Sequence, residues 1–173
     1  NGPPDDPNNY VKSAGALVVE IAMAIDNEGF DFSQFDNGEG IIDVVILIAA
    51  GKGGNQTGNY FWPHMFVIPT SGNGLEDIDP TAPVSSSGSF APDGIIIQKY
   101  IVIHEKYAWR QDGIKIGNIH PIGTMCHELG HVLGLPDLYD TSGNGAAGIG
   151  LWGLMGSGND QRQTSPAYMS AWS

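Results

Sequence analysis

Between residues 10 and 25 the apolar side chains fall at Val11, Ala14, Leu17, Val18, Ile21, Ala22 and Ile25. Steps of three and four place them on one side of a helix, so the spacing predicts a helix packed on a sheet. Residues 41–50 (IIDVVILIAA) have no such period. A β-branched run that stops at a glycine cluster reads as a strand buried on both faces. Residues 66–68 form a shorter candidate strand, and residues 94–105 (GIIIQKYIVIHE) form another. Between them, residues 70–93 collect Ser, Gly, Pro, Asn and Asp with little periodicity, which predicts a long surface loop, of the kind that carries function or is pinned by ions.

The clearest helix covers residues 119–133, where Ile122, Met125, Cys126, Leu129, Val132 and Leu133 make an apolar stripe. Pro121 suits its first turn and Gly134 its C-terminal stop. Residues 135–158 are rich in glycine and should be irregular, with Leu151, Trp152, Leu154 and Met155 available for burial. Ser165-Pro166 reads as the cap and first position of a last helix that Ser173 cuts short. The order of elements predicts one α/β (α+β) domain over residues 1–173, truncated within that C-terminal helix.

Composition narrows the function. At 173 residues, 41% hydrophobic and 15% charged, the chain can bury a core, and it is not disordered. Its formal charge of −12 repels a phosphate backbone, so nucleic acid is not an expected partner. Cys126 is the only cysteine, which excludes an intrachain disulfide and a thiolate zinc cluster. No apolar stretch reaches the roughly 18 residues of a membrane span. Asn1 opens a polar segment, so no signal peptide is visible in the sequence as it stands.

The chemistry lies in His127-Glu128-Leu129-Gly130-His131. Two imidazoles four residues apart are about one helical turn apart and can share one ion. Glu128 is about 100° round the helix from His127, within reach of a water on that ion. A sharp turn at Gly134 would bring Asp137 back as a third ligand, while Asp140, three residues on, is a rival carboxylate. Three protein ligands leave a tetrahedral zinc its fourth position for water, as catalytic sites do. Such a zinc lowers the pKa of its water and polarises a scissile carbonyl, with Glu128 as general base and then acid to the leaving amine.

The string HELGHVLGLPDLYDT, with GIGLWGLMGSG and SPAYMSAWS after it, resembles the secreted immune inhibitor A metallopeptidases, relatives of the metzincin clan. Upstream, DFSQFDNGEGIIDVVILIAAGKG is similar to that family's acidic loop and strand, and FWPHM to its tryptophan-and-histidine segment. The resemblance implies a metzincin-like fold: a twisted mixed sheet with packed helices, a zinc helix, and a glycine-rich lower part carrying a methionine turn at Met155. It implies Zn2+ on His127, His131 and Asp137 with Glu128 as the catalytic residue, protein or peptide substrates, a propeptide before maturation, and an extracellular location. The competing reading is a non-catalytic module of the same fold in an extracellular assembly or adhesin; an intact Glu128 and both histidines argue against it.

Weaker signals remain. Asp36, Glu39 and Asp43 cluster on a glycine-rich turn and offer oxygens for Ca2+, against the plainer reading of a solvated turn. Glu76, Asp77 and Asp79 read as surface charge. His64 reads as a hydrogen-bonded structural residue. Tyr139 and Tyr168 could donate to an oxyanion but read more simply as tyrosines with satisfied hydroxyls. Asn55-Gln56-Thr57 matches a glycosylation acceptor.

Overall fold

In the computed structural model, which describes residues 14–52, 62–106, 119–142, 146, 148–160, 165–171 and 173, the N-terminal spacing becomes α1 (Ala14–Asn27). Val11 and the Asn55 acceptor motif lie outside the described residues. The buried face of α1 is Ala14, Ala16, Val18, Val19 and Ala22, whereas Ile21 and Ile25 are exposed. The helix is in contact with the 3₁₀ turn Pro92–Gly94, and Ala14, Val18 and Ala22, one turn apart, are all on its buried face.

The residues divide into two compact units, Asn1–Leu47 with Phe66–Tyr100, and Ile48–Met65 with Ile101–Ser173. In the first, Asp31 caps the 3₁₀ turn Phe32–Phe35 by accepting from the Ser33 N–H, and the Phe32 N–H donates to Asp93 Oδ2 at 3.0 Å. The chain then enters β1 (Ile41–Ile42), which pairs in parallel with β4 (Ile96–Ile97) in the register Ile41 to Ile96 and Ile42 to Ile97. The expected long loop is pinned from within. It carries the short helix α2 (Leu75–Ile78), buries Leu75 and Phe90, and ties its backbone through Ser71 N–H to Gly88 O and Ala91 N–H to Pro83 O.

Three further strands, β2 (Val45–Lys52), β3 (His64–Val67) and β5 (Lys99–Lys106), form a sheet in the order β2-β5-β3. This corrects the reading of residues 41–50 as a doubly buried strand. β2 is at an edge, and alternate residues face solvent, Ile48 being 61% exposed. The central strand is β5, with Tyr100, Ile101, Val102, Ile103 and His104 all buried. The single strand expected over residues 94–105 is two, broken at Gln98, whose carbonyl accepts from Ile68 N–H.

The second unit contains α3 (Ile122–Val132) and a glycine-rich return. Residues 165–171 are not helical, contrary to the expectation from Ser165-Pro166. Their backbone groups are taken by the glycine-rich segment instead: Ala167 N–H donates to Gly158 O at 2.9 Å and Leu154 N–H to Tyr168 O at 3.0 Å. Of the four residues expected to anchor that segment, Leu154 and Met155 are buried and Leu151 and Trp152 are exposed. The described residues thus make a mixed α+β architecture of small sheets and few helices, in which no helix is long and apolar enough to cross a membrane.

Candidate metal centre

The buried face of α3 is not the apolar stripe. Gly123, His127, Glu128 and Gly130 are buried, while Ile122 is exposed and Leu133 is 72% exposed. The two glycines explain the inversion. A Cβ on Gly123 would overlap the Asn159 carbonyl, and one on Gly130 would overlap Met155 Sδ. Positions 123, 127 and 130 share one helical face. The glycine-rich segment therefore packs directly on the helix on both sides of His127, with main chain at Gly123 and the Met155 sulfur at Gly130, and His127 Nδ1 reaches Leu154 O at 2.9 Å.

The helix ends in a Schellman motif: Leu135 N–H donates to Gly130 O, and Gly134 N–H to His131 O. Gly134 sits at φ +88°, where a Cβ would be strained. This turn delivers Leu135 O to His131 Nδ1 at 2.8 Å. A carbonyl can only accept, so each ring carries its proton on Nδ1 and directs the Nε2 lone pair elsewhere.

Both lone pairs go to the same place. The two Nε2 atoms are 3.2 Å apart, and Asp137 Oδ1 is 3.1 Å from that of His127 and 3.3 Å from that of His131. Tetrahedral zinc with bonds of about 2.0–2.1 Å has ligand-to-ligand edges of about 3.3 Å. Asp137 Oδ1 is buried with no hydrogen-bond donor among the described residues. Three acceptors facing one point repel one another unless a cation lies between them, so these residues fit a divalent metal. Among the described residues this is the group of three that could hold a metal ion.

Asp140 is occupied elsewhere. Its Oδ1 accepts from the Ser142 N–H and hydroxyl, and its Oδ2 from Ala146 N–H. The structure therefore brings Asp137, and not Asp140, to the two histidines. Tyr139 was outside the sequence-derived ligand set, yet its ring stacks on His127 with centroids 6.2 Å apart. Burial, then the Asp137 charge, pushes its phenol up to about 12, which keeps it a neutral donor. From the sequence this phenol is weighed only as an oxyanion donor; its position two residues after Asp137 is the signal for the neighbour it has here. Tyr168 faces solvent.

Glu128 is 6% exposed, and its Oε2 accepts from Met65 N–H at 2.7 Å. Burial pushes its carboxyl up, against the opposing pull of His127, His131, the Met65 amide and His64. No sequence signal marks Met65, because the group involved is main chain. Met155 is fully buried with its sulfur on Gly130, and Cys126 is half-buried outside the triad. His64 Nδ1 is 2.6 Å from Trp62 O, and His120 Nδ1 is 3.1 Å from Pro121 O.

The structure gives calcium no support at residues 36–43. Asp36 Oδ1 accepts from Gly38 and Gly40 N–H, and Asn37 Oδ1 from Glu39 N–H, so this is a self-capped turn leading into β1. Glu76 and Asp79 likewise serve their own turns, on Gly72 N–H and Thr81.

The family described as immune inhibitor A peptidase M6, catalytic domain, matches residues 22–173. Immune inhibitor A of Bacillus thuringiensis subsp. alesti is 30% identical over 174 residues, covering 91% of this chain. The chain spans 22% of the length of that relative. On the family match over most of its length, the chain belongs to the immune inhibitor A (M6) peptidase family.

Proposed function

We propose that this chain is the catalytic part of a zinc-dependent endopeptidase that hydrolyses peptide bonds in proteins. The observation that carries the reading is the near-equilateral triangle of His127 Nε2, His131 Nε2 and Asp137 Oδ1 with the Glu128 carboxyl buried beside it. In this reading the three atoms hold zinc, which when bound supplies a water of lowered pKa and an electrophile for the scissile carbonyl.

The rest is work for the chain's own residues. Leu154 O and Leu135 O hold the imidazoles in the tautomer that binds metal. Tyr139, its phenol held protonated by burial and by the Asp137 charge, meets that carboxylate as a neutral group. Glu128 takes the proton of the attacking water and passes it to the leaving nitrogen; burial, which pushes its carboxyl up, suits a base that must also give the proton back. Met155 fills the space under the ring pair as a methionine turn, touching no substrate. Secretion and a propeptide belong to the same reading and rest on the family resemblance.

The test is reconstitution. Dialysis against a chelator should abolish cleavage of an unfolded protein substrate, and about one equivalent of zinc should restore it. Undiminished cleavage by protein shown to contain no metal would overturn the reading.

A further inference from the structure

One contact of Glu128 lies outside the metal chemistry. Successive N–H groups of an extended strand point to opposite sides. Ile68, one residue past β3, donates to Gln98 O at 2.8 Å, on the side of the neighbouring strand. Phe66 N–H shares that direction, so Met65 N–H points away from the ladder. β3 is an outer strand of its sheet, and its Met65 N–H ends on Glu128 Oε2 at 2.7 Å, 63 residues along the chain. The acceptor is nearly shielded from solvent. A fixed main-chain donor thus takes the place of water at one of the two carboxylate oxygens.

We propose that the main-chain N–H of Met65 is a positioning group for Glu128: it pins Oε2, so that Oε1 alone exchanges protons with the reacting water and the leaving nitrogen. A glutamate side chain has three torsions, and its last is broad. Pinning one oxygen removes that freedom before the substrate arrives. The proton balance is simple. Oε1 gains a proton from water and loses it to the departing amine, while the N–H to Oε2 bond persists and is not consumed. The Met65 side chain has no part in this, so the residue type at 65 carries no signal. The role of Glu128 as base rests on the peptidase reading above; the Met65 to Glu128 bond does not.

Replacing Met65 by its α-hydroxy acid counterpart turns one amide into an ester, deleting the donor and keeping the shape. In zinc-loaded protein assayed on a quenched fluorescent peptide, kcat should fall about ten- to hundredfold with KM and bound zinc unchanged. The same ester should cause no further loss in a Glu128→Gln background. A parent-like kcat in the ester variant, or an equal fractional loss in the Glu128→Gln background, overturns the proposal. A second measurement needs no turnover: in 15N–1H spectra of zinc-loaded protein, slow exchange of the Met65 amide should be lost in Glu128→Ala. A Met65 amide indifferent to that change overturns the proposal too. If the parent cleaves no peptide, the peptidase reading fails, and the spectra still decide the Met65 bond.

Discussion

His127 Nδ1 bonds the main-chain carbonyl of Leu154, 27 residues further on, at 2.9 Å, and the N–H of the same Leu154 is held by Tyr168 O at 3.0 Å. One peptide segment, fastened on its other side, therefore fixes a ring that faces the candidate metal. His131 is fixed the same way by Leu135 O at 2.8 Å. Both orienting groups are backbone carbonyls, which no side-chain substitution removes. Sensitivity to mutation should therefore concentrate in the three converging atoms and in the glycines that let the backbone approach.

The two carboxylates after the helix make the sharpest contrast. Asp137→Ala removes an atom of the triangle, so zinc affinity, measured by competition with a chelating dye, should fall more than about 100-fold. Asp140→Ala removes a local loop cap, and should cost about 1 kcal/mol of stability while zinc affinity stays within about threefold. The opposite ranking, with zinc lost from the Asp140 variant and kept by the Asp137 variant, would reverse the ligand assignment.

How much of this the sequence carried depended on whether the signal was local. His127, Glu128 and His131 are set by the pitch of one helix, and Gly134 ends that helix with a positive φ, so the motif could be read from spacing alone. The orientation of α3 could not. Its apolar stripe lies on the more exposed side because Gly123 and Gly130 admit backbone at Asn159 and a sulfur at Met155, and both partners come from a segment without periodicity. The same limit hid the edge position of β2: a run of β-branched residues looks alike at the centre and the margin of a sheet. Met65 and Leu154 act through main chain, which residue type does not report. Residues 165–171 failed as a helix because their N–H and C=O groups pair with distant glycine-rich chain.

Gly130 and Met155 should behave as a coupled pair. Gly130→Ala places a methyl where the Met155 sulfur now lies, and Met155 is fully buried, so the sulfur has no free space to retreat into. Overpacking of this kind costs about 1–3 kcal/mol, which denaturant unfolding can resolve. Met155→Ala should also destabilise alone, through the cavity it leaves. Together the two changes should cost less than their sum, because the new methyl fills part of that cavity. Strict additivity would mean that the two side chains do not share the space.

His104 offers a test of stability against pH. It is buried on β5 with Nδ1 lacking a partner among the described residues, and burial, then the charges of His120 and His64, hold its pKa below the usual 6.5. Above about pH 6.5 the ring is neutral in both folded and unfolded chains, and its contribution is flat. As pH falls below that value the unfolded chain takes up a proton that folded His104 resists, so stability declines, by at most about 1.4 kcal/mol per pH unit. The decline ends where the folded ring itself titrates. His104→Phe has no proton to take up, so its stability relative to the parent should rise as pH falls below about 6.5, measured by urea unfolding of the metal-free proteins. Removing the His120 charge with His120→Gln should weaken the slope without abolishing it, because desolvation is the larger cause. Parallel profiles for parent and His104→Phe would show that the buried ring is already paired in solution, and that the low-pH loss of stability belongs to other groups.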